Sequence, residues 1–189
     1  MSTVKVTNLQ HPSSGSANIE LGSDGSVVLP AGFTGGIGSN VVSTTKGDVF
    51  STSSTSFTDV TGLSATITPT SASSKVLVLV SVAWGNTVSS SLLSMFTITD
   101  GSNNILLPAT SPGSRGVGMN WEYLPVADSA MKNVAYSFVH SPATTSAFTY
   151  KVRCRVNGNT LYVNRSDVDD DQLNRPRGVS TITAIEVAA

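Results

Sequence analysis

The sequence predicts an all-β protein: an antiparallel, jelly-roll-like β-sandwich preceded by a small β-rich N-terminal region. Three observations carry that expectation. Apolar and polar residues alternate at a period of two in segment after segment, Val, Ile and Thr dominate the side chains that would line a sheet, and turn-forming clusters interrupt the segments at short intervals. The clearest segment is Phe148 to Arg165, where Tyr150, Val152, Cys154 and Val156 alternate with Lys151, Arg153 and Arg155. It ends in Asn157-Gly158 and resumes at Asn159-Thr-Leu-Tyr-Val-Asn-Arg165, a pattern that predicts a β-hairpin.

Taken in order, residues 1–47 are rich in Gly, Ser and Asn and carry short strand-like pieces at Thr3 to Thr7, Asn18 to Leu21 and Ser26 to Leu29. Pieces this short cannot bury a face alone, so the region is expected to serve as an attachment or shaft-like segment packed on other protein. Ala31-Gly-Phe-Thr-Gly-Gly-Ile-Gly38 reads as a flexible joint, and Ser51-Thr-Ser-Ser-Thr-Ser56 as a polar loop. A phosphate cradle would need a helix after the glycines, and no helical period follows Gly38.

Residues 48–189 are expected to form the sandwich. Candidate strands are Val60 to Thr68, Lys75 to Trp84, Leu92 to Thr99, Asn104 to Leu107, Val117 to Leu124, Asn133 to His140, the hairpin, and Val179 to Val187. Turns at Pro69 to Ser74, Asp100 to Asn104, Ser111 to Ser114 and Ser141-Pro142 separate them. Only Ser129 to Tyr136 has a brief helical character. Val76 to Trp84 is apolar on both alternating faces, and so is Thr181 to Val187. Both faces of such strands are expected to be covered, either by the N-terminal region and loops or by another subunit.

Composition removes several function classes. Charged residues make up 12% of the chain and the formal net charge is −1, so no global field favours nucleic acid or an anionic membrane. Ser and Thr together supply about a quarter of the residues. The N-terminus lacks the apolar segment of a signal peptide, and the longest apolar run is too short to span a bilayer. Synthesis in the cytoplasm without membrane insertion is the expectation. The single cysteine, Cys154, excludes an intrachain disulfide and reads as a buried small hydrophobe rather than a reactive thiol.

Few residues suggest chemistry. His11 and His140 lie far apart and in no metal-ligand spacing, and no glycine-flanked serine elbow is present, so no catalytic residue, metal or cofactor is expected. Asp167-Val-Asp-Asp-Asp171 departs from an EF-hand loop, with Gln172 at the glycine position and Gly178 at the terminal carboxylate position. Its carboxylates are expected to be solvated or to pair with Arg165, Arg175 and Arg177, or with Lys151, Arg153 and Arg155 across the sheet or from another subunit. Arg165, Asp167, Asp169, Asp170, Asp171 and Arg175 are thus candidates for inter-subunit pairing. Lys151, Arg153 and Arg155 are also candidates for an anionic glycan or phosphate, through the planar fork of arginine. Trp121 and Tyr123 share a strand face and read as core packing, with a sugar-stacking platform as the alternative. The sequon Asn164-Arg-Ser166 has meaning only in a chain secreted by a eukaryote.

The C-terminal pattern of Tyr150-Lys-Val, Asn157-Gly, Tyr162-Val-Asn-Arg-Ser166, the Asp-rich loop and Ser180-Thr-Ile-Thr-Ala-Ile-Glu-Val187 resembles the terminal β-domain of tailed-phage fibre proteins. Those of phages infecting cyanobacteria and other marine bacteria are the most similar. Phe57-Thr-Asp-Val-Thr-Gly-Leu63 with Ile67-Thr-Pro-Thr-Ser-Ala-Ser-Ser-Lys-Val-Leu77 resembles the start of that domain. Ser16-Ala-Asn-Ile-Glu-Leu-Gly-Ser-Asp-Gly-Ser-Val27 resembles a segment near the shafts of such fibres. The resemblance implies a homotrimeric virion appendage. Its N-terminal region would bind other virion proteins of the tail or capsid, and its head would touch a host-surface glycan. The chain lacks the long repetitive shaft of a main tail fibre, so a capsid decoration protein or head fibre is the alternative, followed by a carbohydrate-active enzyme or lectin. Within this reading the basic face of Phe148 to Arg165 pairs subunits first and binds ligand second.

Overall fold

The computed structural model describes residues 40–87, 93–106, 110, 113, 117–123 and 130–187, with three short N-terminal segments, and every regular element among them is a strand. The chain divides into two units, 1–36 and 37–189. In the first, β1 (Asn8–Leu9), β2 (Ile19–Leu21) and β3 (Val27–Val28) form a three-stranded antiparallel sheet in the order β1-β2-β3. The expected strands at Asn18 to Leu21 and Ser26 to Leu29 correspond to β2 and β3. Thr3 to Thr7, His11 and the glycine segment 31–38 lie outside the described residues.

The second unit contains ten strands among its described residues. They are β4 (Val41–Lys46), β5 (Phe50–Thr52), β6 (Thr58–Ile67), β7 (Lys75–Asn86) and β8 (Leu93–Thr99), then β9 (Asn120–Tyr123), β10 (Lys132–His140), β11 (Phe148–Val156), β12 (Leu161–Val163) and β13 (Ser180–Val187). They form two antiparallel sheets. One has the order β6-β11-β8-β9; the other runs β4-β13-β7-β12-β5, with β10 on the remaining edge of β7. Alternation explains the layering. Val76, Val78, Val80 and Val82 of β7, Ile182 and Ala184 of β13, and Tyr150, Val152, Cys154 and Val156 of β11 all point into a single buried cluster shared by both sheets. Trp84 of one sheet meets Phe96 of the other with ring centroids 5.6 Å apart. Each fully buried large aliphatic or aromatic side chain here contributes about 1.5–3 kcal/mol.

A bulge reconciles β6 with this core. Its inward residues Val60 and Leu63 break the period of two, and the register against β11 shifts between Lys151 and Arg153. Gly62, at φ +80, takes up the extra residues in a left-handed conformation that a side chain would disfavour.

Several expectations are corrected. The division falls between residues 36 and 37, not at 47, because Val41 to Ile185 and Lys46 to Ser180 register β4 on the last strand. The polar run from Ser51 is strand for its first two residues, within β5. Asn104 to Leu107 yields only a bridge from Ile105 to Thr99, and the strand expected from Val117 begins at Asn120. The strand expected at Asn133 to His140 is β10, which begins one residue earlier, at Lys132.

The hairpin is the largest correction. β11 pairs with β6 and β8, whereas β12 pairs with β5 and β7, so Asn157-Gly158 carries the chain from one sheet to the other. Both edges of β11 are already occupied, and Leu161 and Val163 are fully buried from the opposite layer. Asn157 helps the crossing by accepting the Leu93 N–H on Oδ1 at 2.7 Å, at the first residue of β8, and Asn159 takes φ +54.

Candidate functional site

The most distinctive surface lies on the outside of the β10-β7-β13-β4 sheet. Register places Val139, Leu77, Ile185 and Val41 in one cross-strand row. Ser137, Leu79, Thr183 and Ser43 form the next row, and Ala135, Ser81, Thr181 and Thr45 the third. No ionisable side chain occurs in the twelve positions. Val139 is 52% exposed, Val41 48% and Leu79 38%, so the outer side of β7 is open within the described chain although its other side is core. Within the described chain one face of β7 is covered by the core and the other is open. The polar groups of this surface satisfy one another: Ser43 Oγ and Thr183 Oγ1 lie 2.8 Å apart, and Asn133 Nδ2 donates to Ser81 Oγ at 2.9 Å.

The basic stripe sits on the outer side of β11, as its alternation requires, but its partner is local. Asp59 of β6 lies between Lys151 Nζ, 3.0 Å from Oδ2, and Arg153 Nε, 2.6 Å from Oδ1. Arg153 also donates to the Phe57 carbonyl at 2.6 Å, and Lys151 reaches Asn103 Oδ1. The Arg155 guanidinium stacks 5.2 Å from the centroid of the Phe57 ring.

The acidic loop is likewise closed on itself. Arg175 Nε is 3.0 Å from Asp170 Oδ1, Arg177 Nε is 2.7 Å from Asp169 Oδ1, and Arg165 donates to the Asp167 carbonyl at 2.8 Å. Arg165 also lies over the Tyr162 ring at 3.8 Å. These contacts match the expected pairing of the run with Arg165, Arg175 and Arg177. Asp171 is exposed. The structure does not bring the acidic loop to Lys151, Arg153 or Arg155 within the chain, because Asp59 stands beside the first two.

Trp121 and Tyr123 fall in β9, registered opposite Met95 and Leu93; their side chains lie outside the described residues. His140 joins an aromatic group beneath the sheets: its Nδ1 is 3.0 Å from the Tyr150 hydroxyl and its ring 5.1 Å from that of Phe148. Burial pushes the His140 pKa down, with the Asp100 carboxylate opposing it, and pushes the Tyr150 phenol far above its usual range. Cys154 is fully buried, and burial moves its thiol up to about 12 against the pull of Arg153. A thiol held there is protonated at neutral pH and unreactive.

Two buried polar centres escaped the sequence reading. Asn164, at φ +66 and with no exposure, donates from Nδ2 to the carbonyls of Lys46 at 2.8 Å and Asp48 at 2.9 Å. Its Oδ1 accepts the Ser180 hydroxyl at 2.6 Å, so one amide ties the β4–β5 turn to β13. Its position in a sequon is incompatible with glycan attachment to the folded chain. Glu186, 4% exposed, accepts the Thr70 N–H at 2.8 Å, the Thr70 hydroxyl at 2.6 Å and Asn40 Nδ2 at 2.7 Å. Burial pushes its carboxyl up, and the hydrogen bonds from Thr70 and Asn40 outweigh that and hold it at about 2. A left-handed Asn and an inward Glu in an otherwise apolar strand are weak signals, visible only once partners are known.

Among the described residues, no helix is long and apolar enough to cross a membrane. Comparison of the sequence with protein-family models and with curated proteins finds no match, so any functional reading rests on the surfaces above.

Proposed function

We propose that the chain is a non-enzymatic structural component of a phage particle, a short homotrimeric fibre or appendage. In this reading residues 37–189 form a jelly-roll-like sandwich that serves as the head. The N-terminal unit attaches it to other virion proteins, and the head touches a host-surface glycan. The observation that carries the reading is the exposed, uncharged face of the β10-β7-β13-β4 sheet. Interface centres are depleted in charge, and large apolar residues left open on a flat sheet are a feature of assembling proteins.

Among the described residues, three side chains with nucleophilic or acid–base chemistry are committed to the fold: Cys154 in the core, Glu186 in three hydrogen bonds, and His140 on Tyr150. A second reading, a capsid decoration protein without receptor binding, is favoured by Lys151 and Arg153, which are paired with Asp59 on the outer side of β11 rather than left open to a ligand.

Labelled antibody against the chain is the test. Decoration of intact particles of the virus that encodes it is expected at the tail or capsid, and absence from purified particles overturns the reading. A glycan array on the purified chain separates the two forms: binding supports the adhesive head, and no binding by folded protein supports decoration. Turnover of host polysaccharide contradicts both.

A further inference from the structure

The uncharged outer face has relief as well as composition. Its first row, Val139-Leu77-Ile185-Val41, consists of four branched aliphatic side chains side by side and stands up as a ridge. Four residues further along each strand, Ser81, Ala135 and Thr181 are small, and with Ser137 and Leu79 they line an open depression of about 320 Å³. Ridge and depression are parallel, lie on the same face, and are offset by four residues along β7, or about 13 Å.

We infer that copies of this chain associate through this face, the aliphatic ridge of one copy seating in the small-residue depression of another. The inference deepens the assembly part of the proposed function and depends on that reading only for the number of copies. Three properties of the face point to a second copy as its occupant. It carries no charge, so two identical faces meet without like-charge repulsion, whereas a charged partner would find no complement there. It is self-complementary in shape: a two-fold axis along the middle row sets each ridge over the other copy's depression and brings Leu79 against its own equivalent. Its size fits a weak, transient contact. Four strands at about 4.8 Å spacing and three rows of two residues at about 3.3 Å each give a footprint of about 400 Å², so two copies cover roughly 800 Å². The same ridge and depression used by different neighbours give a head-to-tail contact, which closes into a ring of three when the rotation per copy permits.

Charge has a different fate elsewhere on this unit. Lys151 and Arg153 of the β11 stripe, and Arg175 and Arg177 beside the acidic run, find counter-charges within the same chain. The subunit contact therefore moves from the basic stripe to the opposite sheet, and association is expected to be insensitive to salt.

Disulfide cross-linking of the full chain tests this, aided by the burial of the one native thiol, Cys154. The double variant Leu77→Cys/Ser81→Cys places one thiol on the ridge and one in the depression. At about 13 Å along one strand they are too far apart to join within a copy. Under mild oxidation, covalent species are expected, while either single variant gives far less. A ladder ending at three supports the contact and the homotrimer. A ladder ending at two supports the contact and overturns the trimer. No cross-linked species overturns the inference. In parallel, Leu79→Asp is expected to weaken self-association at least tenfold by light scattering, with an unchanged far-ultraviolet spectrum and melting temperature because Leu79 is already partly exposed. A monomeric wild type, or association that survives Leu79→Asp in folded protein, also overturns it.

Discussion

Arg153 Nε lies 2.6 Å from Asp59 Oδ1, so the guanidinium at the middle of the basic stripe is held by a carboxylate on the neighbouring strand. That one contact decides how the basic stripe behaves. Lys151 shares the same carboxylate, and together the three charges sum to a single excess positive charge at a half-exposed site.

Replacing Asp59 with Ala is expected to release both cations. The variant should lose about 1 kcal/mol in urea unfolding, the scale of a partly exposed ion-pair network. It should also elute later than wild type from an anionic column at low salt. Unchanged elution would mean that Arg153 and Lys151 find other partners.

Glu186 predicts a specific acid transition. Its folded pKa of about 2 lies below the ordinary 4.5, so the stabilisation is complete above pH 4.5 and is lost as pH falls toward 2. Melting temperature measured from pH 6 to pH 2 should fall mainly in that interval. Glu186→Gln should be less stable than wild type at neutral pH and show a shallower decline in acid.

His140 acts in a higher range. Its pKa is depressed below 6.5 by burial, so the neutral ring is the form the fold favours. Stability is expected to be full above pH 6.5 and to decline as the ring takes a proton below it. His140→Phe should remove that part of the pH dependence, which is readable by comparing the two melting profiles between pH 7 and pH 5.

Asn164 should be among the most sensitive polar positions. Asn164→Ala removes one donor from each of two carbonyls and the acceptor of the Ser180 hydroxyl in a dry site, at a cost of about 3 kcal/mol. Asn164→Gly should be about 1 kcal/mol less damaging, since φ +66 strains Ala but not Gly. Equal losses would show that the hydrogen bonds alone set the cost.

Cys154 gives a simple check on the core. A thiol reagent should leave the folded chain unmodified for hours and label it fully in denaturant, since the sulfur is buried and its pKa is about 12. Rapid labelling of the native chain would contradict the position of β11 between β6 and β8.

The strands themselves were legible because alternation is a property of neighbouring residues. Tyr150, Val152, Cys154 and Val156 face inward as their spacing requires. Strand partnership was not legible. Asn157-Gly158 has the chemistry of a tight hairpin, but sheet membership depends on which edges remain free, and β6 and β8 had taken both edges of β11. The acidic loop pairs with arginines in or beside it, contacts short enough to read from spacing. Asp59 was hidden from the basic stripe by about ninety positions of chain, and Asn164 by its dependence on Lys46, Asp48 and Ser180 at once.

The pairing of β4 with β13 joins the first and last strands of the larger unit, and Asn40 bonds Glu186 from 146 positions away. On a ribosome adding about 5–20 residues per second, β4 emerges roughly 10 s before its partner exists. From its own emergence until then, β7 has one ladder edge empty where β13 will lie. The nascent chain therefore passes through a stage in which a row of valines sits beside an unpaired backbone, a setting that invites strand pairing with other chains. High Ser and Thr content would keep that stage hydrated, and completion of the last strand closes it.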